Sequence, residues 1–431
     1  MTGMQQRLET LWRMESPLLI ARCARLLGGD IGRAEELVQD VWLVAFERWP
    51  VEGMPDNPGA WLMTATRNRA IDVLRQHQRV AEQHARWGEV LHPASPVAPD
   101  DSEALVDDIG DDLLRLMFVA CHPQLPADAR IALTLRLLGG LTTQEIARAF
   151  LLPEPTIAQR IVRAKRTLAQ HQVPFDVPRA ADLPARLGAV LEVIYLVFNE
   201  GYAASYGEDW MRPALCEEAL RLARILAQRM PGHASIHGLL ALMELQASRS
   251  AARSDGAGAP VLLEQQDRSR WDRLQIARGL ASLQQAHSLM GQEDPYVLQA
   301  GIAACHARAL APEDTDWAGI ATLYTRLLQV QPSPVIALNR VVAILRADGP
   351  LAAWGLLHPL LDEPRLQQYA PLWVVRGEVL SRLGRNDDAR AAFTHAASLT
   401  GNERERILLL GKAGAGGVEP TSVGCAAGRV R

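Results

Sequence analysis

The sequence predicts an almost all-α protein, two small helical modules followed by a larger helical domain. Apolar residues make up 48% of the chain but aromatics only 5%, and the β-branched residues never gather into the alternating runs of a strand. Apolar positions recur instead at three- and four-residue spacing between capping signals. A length of 431 residues exceeds one ordinary domain, so the helices divide among several cores.

Taken in order, Ser16 and Pro17 start a first helix that Gly28 and Gly29 end. A second, "GRAEELVQDVWLVAFERW", sets Leu37, Val38, Val41, Trp42, Ala45 and Trp49 on one broad apolar side. After the loop "PVEGMPDNP", Asn57 and Pro58 cap a third helix, on which Thr64, Asn68, Asp72, Arg75 and Arg79 share one stripe. Trp61 stands at its head, and Arg67 and Arg69 flank the stripe. From Trp61 to Arg79 there are four arginines against one aspartate. A net charge of −4 for the whole chain therefore says little, because attraction to phosphate depends on where cations cluster.

Residues 93–112 read as an acidic linker, with seven carboxylates from Asp100 to Asp112 and no cation to offset them. Beyond it, "GLTTQEIARAFLLPEPTIAQRIVRAKRTL" opens with a capping box, Thr142 and Glu145. The prolines at 153 and 155 stop that short helix and start the next. On the second helix Ile157, Ile161, Ala164 and Leu168 form one buried stripe, while Thr156, Gln159, Arg160, Arg163 and Arg166 fall on the opposite side. That is the helix-turn-helix arrangement, whose second helix enters the major groove. Arg can grip guanine or phosphate and Gln can pair with adenine. An ordinary helix pair with a solvated basic face has the same pattern.

Residues 180–412 read as a helical domain. In "LWVVRGEVLSRLGRNDDARAAFTHAASL", Trp373, Gly377, Leu380, Gly384, Ala389, Phe393 and Ala396 fall at the spacing of a tetratricopeptide helix pair. Two earlier stretches, "DWAGIATLYTRLLQVQPSP" and "GPLAAWGLLHPLLDEP", look like second helices of degenerate repeats. Stacked pairs of this kind leave a concave groove for a protein partner. The stretch 248–260 reads as a flexible boundary, and the glycine-rich 413–431 as a disordered tail.

Several classes are excluded. Five cysteines lie far apart with no CxxC pair, which argues for small core residues in a reducing cytoplasm rather than zinc ligands or disulfides. Cys121 beside His122 reads as a core cysteine at a helix end. No apolar run reaches the length of a membrane span and no signal peptide is visible, so a cytoplasmic protein is expected. With no Walker loop, GxSxG, HExxH or spaced Cys/His set, neither enzyme chemistry nor a cofactor or metal is expected.

The order of "DIGRAEELVQDVWLVAFERW", "NPGAWLMTATRNRAIDVLR", an acidic linker and the helix-turn-helix resembles an extracytoplasmic-function (ECF) sigma factor of bacterial RNA polymerase, over about residues 10–172. The resemblance implies a region 2 module at 10–92, which binds core polymerase and the minus-ten element, and a region 4 module at 113–172, which reads the minus-thirty-five element. Core polymerase and promoter DNA are the implied partners. Glu35, Glu36, Leu37, Gln39, Asp40 and Trp42 would face the polymerase. Trp61, Asn68, Arg69, Asp72 and Arg75 match the minus-ten motif; Thr156, Gln159, Arg160 and Arg163, with Arg166 on the same side, match the minus-thirty-five readout. Trp42 and Trp61 fit a core role equally well. The family often has glycine in the turn where this chain has Leu152 and Pro153. The acidic linker is either plain connection or, as the resemblance allows, a nucleic-acid mimic in a polymerase channel. The long extension, with "FVACHPQLPADARIALTLRLLGG" and "VIYLVFNEGYAAS", resembles one group within the family and implies regulation by the C-terminal domain or a partner it binds. Asn199, Glu200, Gly201 and Tyr202 are the regulatory contact candidates, or else a helix C-terminus with Gly201 left-handed. A helix-turn-helix regulator that senses a partner and is not a polymerase subunit is the alternative.

Overall fold

The computed structural model describes residues 3–86, 105–150, 152–202, 211–255, 261–401 and 403–414. Eighteen α-helices and no strand occur among the described residues. They fall into two compact units, 1–196 and 197–431.

The first unit holds α1 (Gly3–Leu26), α2 (Ile31–Glu52), α3 (Pro58–Arg86), α4 (Leu105–Ala120), α5 (Ala127–Leu137), α6 (Thr143–Phe150), α7 (Glu154–Gln170) and the first part of α8 (Leu183–Tyr202). α1 starts well before the expected Ser16–Pro17 boundary and runs through Pro17. A proline inside a helix forfeits one hydrogen bond, but the added turns bury Leu8 and set Trp12 edge-on against Trp42, with ring centroids 5.2 Å apart. α2 likewise continues through Pro50, because buried Trp49 holds its last turn, and the loop shrinks to 53–57. α3 starts as expected, with the Ala60 N–H donating to Asn57 Oδ1 at 3.1 Å.

The acidic linker is shorter than expected, because α4 has already begun at Leu105 and covers the last eight residues assigned to it. Asp112 is fully buried and accepts from Arg115 (2.6 Å), Arg22 (3.2 Å) and Arg25 (3.4 Å). A carboxylate can be buried here because three cations come with it. Residues 87–104 lie outside the described residues. α1 also meets the turn between α5 and α6, where Gly140 has φ +62° and a Cβ would lie 3.2 Å from Arg13 Cα. Only glycine suits both constraints. The Trp12 indole donates to the Gly140 carbonyl at 3.0 Å, and Arg13 pairs with Glu145. The N-terminal half of α8 belongs to this unit and not to the C-terminal domain expected from residue 180: Arg186 donates to the Phe118 carbonyl at 2.7 Å, and Arg130 pairs with Glu192 at 3.0 Å.

The second unit continues α8 into α9 (Pro213–Arg229), α10 (Ala234–Ala247), α11 (Arg273–Ser288), α12 (Pro295–Arg308), α13 (Trp317–Val330), α14 (Pro334–Ala347), α15 (Pro350–Leu357), α16 (Ala370–Arg382), α17 (Asn386–Leu399) and α18 (Glu403–Gly414). α13 packs between α12 and α14, and α15 between α14 and α16, over cores such as Leu338, Val341, Leu357, Leu372 and Val379. α16 and α17 form a hairpin in which Gly377 lies under Phe393. A Cβ there would come within 2.6 Å of the ring, so the close approach requires glycine.

The expected flexible boundary at 248–260 is packed as far as it is described. Ser248, Ala252 and Arg253 are buried, with a one-turn helix at Ser250–Ala252. The polar composition signalled a loop, but its arginines find partners inside the fold. Residues 256–260, and 415–431 of the expected tail, lie outside the described residues; 413 and 414 belong to α18. Cys23, Cys121 and Cys216 are buried, Cys305 is half-buried and Cys425 lies outside the described residues. Cys121 Sγ lies 3.4 Å from the Thr134 hydroxyl. No group of metal-ligating side chains forms among the described residues, and none of their helices is long and apolar enough to cross a membrane.

Candidate nucleic-acid interface

The helix-turn-helix is built by its caps. The Thr142 N–H donates to Glu145 Oε2 at 2.8 Å and the Glu145 N–H to the Thr142 hydroxyl at 3.1 Å, which starts α6. The Leu152 N–H then closes onto the Ala147 carbonyl at 3.0 Å, and extended Pro153 (φ −60°, ψ 137°) leads into α7 without the glycine that the resemblance leads one to expect. Ile157, Ile161, Ala164 and Leu168 are all buried. On the other side Gln159, Arg163 and Arg166 are exposed and Thr156 is half-buried. Arg160 is half-buried and pairs with Asp128 of α5 at 3.2 Å.

α3 carries a more open cationic face. Thr64, Arg67, Asn68, Arg69, Asp72, Arg75 and Arg79 are exposed. Arg75 meets Asp72 only at 3.8 Å, a surface contact that holds neither residue firmly. Trp61 is half-buried at the end of a row of edge-on indoles, 5.4 Å from Trp49, which lies 6.2 Å from Trp42. Trp42 and Trp61 are thus core on one side and reachable on the other.

The six residues expected to face the polymerase do not share one surface. Glu36 and Asp40 are exposed, Gln39 and Trp42 are half-buried, and Glu35 and Leu37 are buried, with 4% and 1% of their surface exposed. Leu37 belongs to the core. Glu35 accepts from Arg136 Nε of α5 at 2.7 Å, from Lys165 Nζ of α7, and from Gln39 Nε2 at 2.9 Å. Burial would raise its carboxyl above the ordinary value; the Lys165 and Arg136 charges outweigh that and hold it below. Glu35 sits between Ile31 and Val38 on the buried stripe, a periodicity that could have identified it. Leu43 and Val44, exposed at 60% and 40%, lie beside Glu36 and Asp40 and were not anticipated. Nor were Asp112, Arg136 and Lys165; apart from Arg115, three residues from Asp112, their ion-pair partners lie more than eighty residues away in sequence and leave no local signal.

Asn199 and Glu200 are half-buried, and Gly201 and Tyr202 are buried. Glu200 pairs with Arg212. Gly201 is not left-handed. It lies inside α8, where a Cβ would come 2.7 Å from the Cys216 nitrogen, so α9 can approach only over glycine. Arg249 donates to the Tyr202 hydroxyl at 2.6 Å, and Arg253 to its carbonyl. Glu200, Gly201 and Tyr202 thus each have a neighbour within the second unit.

Comparison with known proteins agrees with this architecture. Residues 11–80 match the family described as Sigma-70 region 2, residues 115–168 match Sigma-70, region 4, and residues 186–287 match a family of unknown function (DUF6596). An uncharacterised protein of Rhizobium meliloti is 43% identical over 88% of this chain and 89% of its own length. The ECF RNA polymerase sigma factor SigK of Mycobacterium ulcerans is 30% identical over 35% of this chain and 75% of its own. SigL of Mycobacterium tuberculosis, an ECF RNA polymerase sigma factor too, is 29% identical over 36% of this chain and 82% of its own. No solved structure matches.

Proposed function

The chain belongs to the ECF RNA polymerase sigma factors, and from that premise we propose that it joins core polymerase and reads two promoter boxes through α3 and α7, under regulation by its C-terminal helical domain. The observation that carries the proposal is the pair of exposed basic helix faces, on modules whose order matches regions 2 and 4. Asn68, Arg69, Asp72 and Arg75, with the exposed edge of Trp61, contact the minus-ten strand. Gln159, Arg163 and Arg166, with Thr156, enter the groove of the minus-thirty-five box, and Arg160 joins them once it leaves Asp128. Holding unpaired bases costs a few kcal/mol per unstacked step, so melting needs the polymerase as partner. The polymerase-facing surface is the stripe Glu36, Asp40, Leu43 and Val44, whose two carboxylates flank exposed apolar side chains.

Glu35 gives this function a condition. The two boxes lie about 25 base pairs apart, roughly 85 Å along B-form DNA at 3.4 Å per step. Hydrogen bonds from Arg136 and Lys165 to Glu35 tie α2 to α5 and α7, and they cannot persist while both boxes are read. The modules part when the holoenzyme engages its promoter.

Reconstituted transcription tests the proposal: core polymerase plus this chain should start synthesis at a promoter that core alone ignores. Failure to bind core polymerase, with DNA binding intact, would leave a free-standing helix-turn-helix regulator in its place. The regulatory role of the extension is tested by deleting residues 203–431 and measuring a promoter reporter in cells at matched protein level; identical output would remove that role.

A further inference from the structure

The two basic helix faces of the first unit are open, yet the helices that carry them are fastened together. One set of ties runs from α1 to the helix-turn-helix. The Trp12 indole donates to the Gly140 carbonyl in the α5–α6 turn at 3.0 Å, and Arg13 pairs with Glu145 of α6. Gly140 admits this approach because it has no Cβ; one would lie 3.2 Å from both Arg13 Cα and the hydroxyl of fully buried Ser16. Trp12 is held in turn by Trp42 of α2, edge-on at 5.2 Å. A second set runs from α2, where buried Glu35 accepts from Arg136 of α5 at 2.7 Å and from Lys165 of α7. Both sets hold α5–α7 against α1 and α2, and neither belongs to the helix-turn-helix motif itself.

These ties use no side chain of the DNA-facing sets. Asn68, Arg69, Asp72 and Arg75 on α3, and Gln159, Arg163 and Arg166 on α7, are exposed while the ties are made. Closure therefore covers neither face. What it limits is the distance between them. A compact unit of 196 residues has a radius of gyration of about 16 Å, far too small to lay its two faces on boxes roughly 85 Å apart along the duplex.

We propose that the Trp12, Arg13 and Glu35 ties form an autoinhibitory clasp that acts on spacing: the closed free chain engages either promoter box but not both. The proposal rests on the reading that α3 and α7 take the two boxes. Two linked modules bind one DNA far more tightly than either alone when both engage, and they lose that gain when geometry forbids it. Affinity for a whole promoter then scales with the fraction of chains whose clasp is open, while affinity for a single box does not. Trp12 is a positioning residue here, since it touches the turn of the helix-turn-helix and none of the side chains that face DNA.

The test uses the full-length chain without polymerase, and DNA that the holoenzyme selects from a random pool. Three probes are cut from it: a duplex with the minus-thirty-five box alone, a single strand with the minus-ten element alone, and a two-box duplex whose minus-ten element is already unpaired, so that no melting cost enters. Trp12→Phe keeps a ring against Trp42 but removes the N–H that reaches Gly140. It should bind the two-box probe about tenfold more tightly than the parent and both single-box probes equally well. Arg13→Gln leaves the indoles untouched and should tighten two-box binding about threefold, which keeps the test decisive if Trp12→Phe folds poorly. Tighter binding of either variant to a single-box probe would mean that closure covers a face, and would overturn the proposal. Two-box binding unchanged in both variants would overturn it as well. If neither free chain nor holoenzyme binds any of the three probes, the assignment of α3 and α7 to the boxes is what fails, and the clasp falls with it.

Discussion

Buried charged groups keep different company in the two units. In the first unit each buried carboxylate collects its own cations: Asp112 takes Arg22, Arg25 and Arg115, and Glu35 takes Arg136 and Lys165. In the second, Arg249 and Arg268 lie against aromatic rings and donate to neutral acceptors, while buried Glu244 pairs with Arg224 at 2.7 Å. A balanced cluster closes a structure, because removing either partner strands the other in low dielectric. The first plan therefore marks a joint between helices, and the second seats a guanidinium on carbonyls and rings.

The contrast is broken most severely at Asp112. Asp112→Ala leaves three arginines facing an empty centre and should cost about 3–5 kcal/mol in chemical denaturation. Glu35→Gln should cost less, about 1–3 kcal/mol, because Arg136 and Lys165 keep partial access to water. That variant also loosens the joint, so in reconstituted transcription at limiting core polymerase it should start more transcripts than the parent. A pH series sharpens the point. The folded-state value of Glu35 is lowered, so its contribution is present above the ordinary carboxylate range and is lost as pH falls through the folded value. The gap in melting temperature between parent and Glu35→Gln should close in acid and stay open at neutral pH.

Smaller effects come from the cations that no carboxylate holds tightly. Arg249→Gln removes the hydrogen bond to the Tyr202 hydroxyl and should cost about 0.5–1.5 kcal/mol in chemical denaturation. Arg163→Ala should leave the melting temperature unchanged while costing about 1–3 kcal/mol in promoter affinity of the holoenzyme if it reads a base. A uniform loss across promoter and random DNA would instead make it a phosphate contact. Arg160→Ala should weaken promoter binding less, because Asp128 already competes for that guanidinium.

Much of the fold was legible. The capping box at Thr142, the stripe Ile157, Ile161, Ala164 and Leu168, and the Gly377 and Phe393 contact all follow from periodicity and local sterics. Helix ends at prolines were less so. Pro17 and Pro50 lie inside α1 and α2 because Leu8, Trp12 and Trp49 have distant surfaces to cover, which outweighs one lost hydrogen bond. At the candidate interface the exposed faces of α3 and α7 were readable from spacing. For Glu35 the resemblance and the register differ: the first sets it among polymerase contacts, the second with Ile31 and Val38, and in this structure it is buried.

By itself the chain's sequence determined where helices form, which stripe of each is apolar and where cations outnumber anions, since these depend on neighbours within a few residues. Tertiary structure alone decided which charged groups are covered and by what. Asp111 and Asp112 are adjacent and chemically alike, yet one is exposed and the other meets three arginines. Local periodicity orients a side chain about its own helix axis, and the environment it then enters is supplied by segments that only folding brings near.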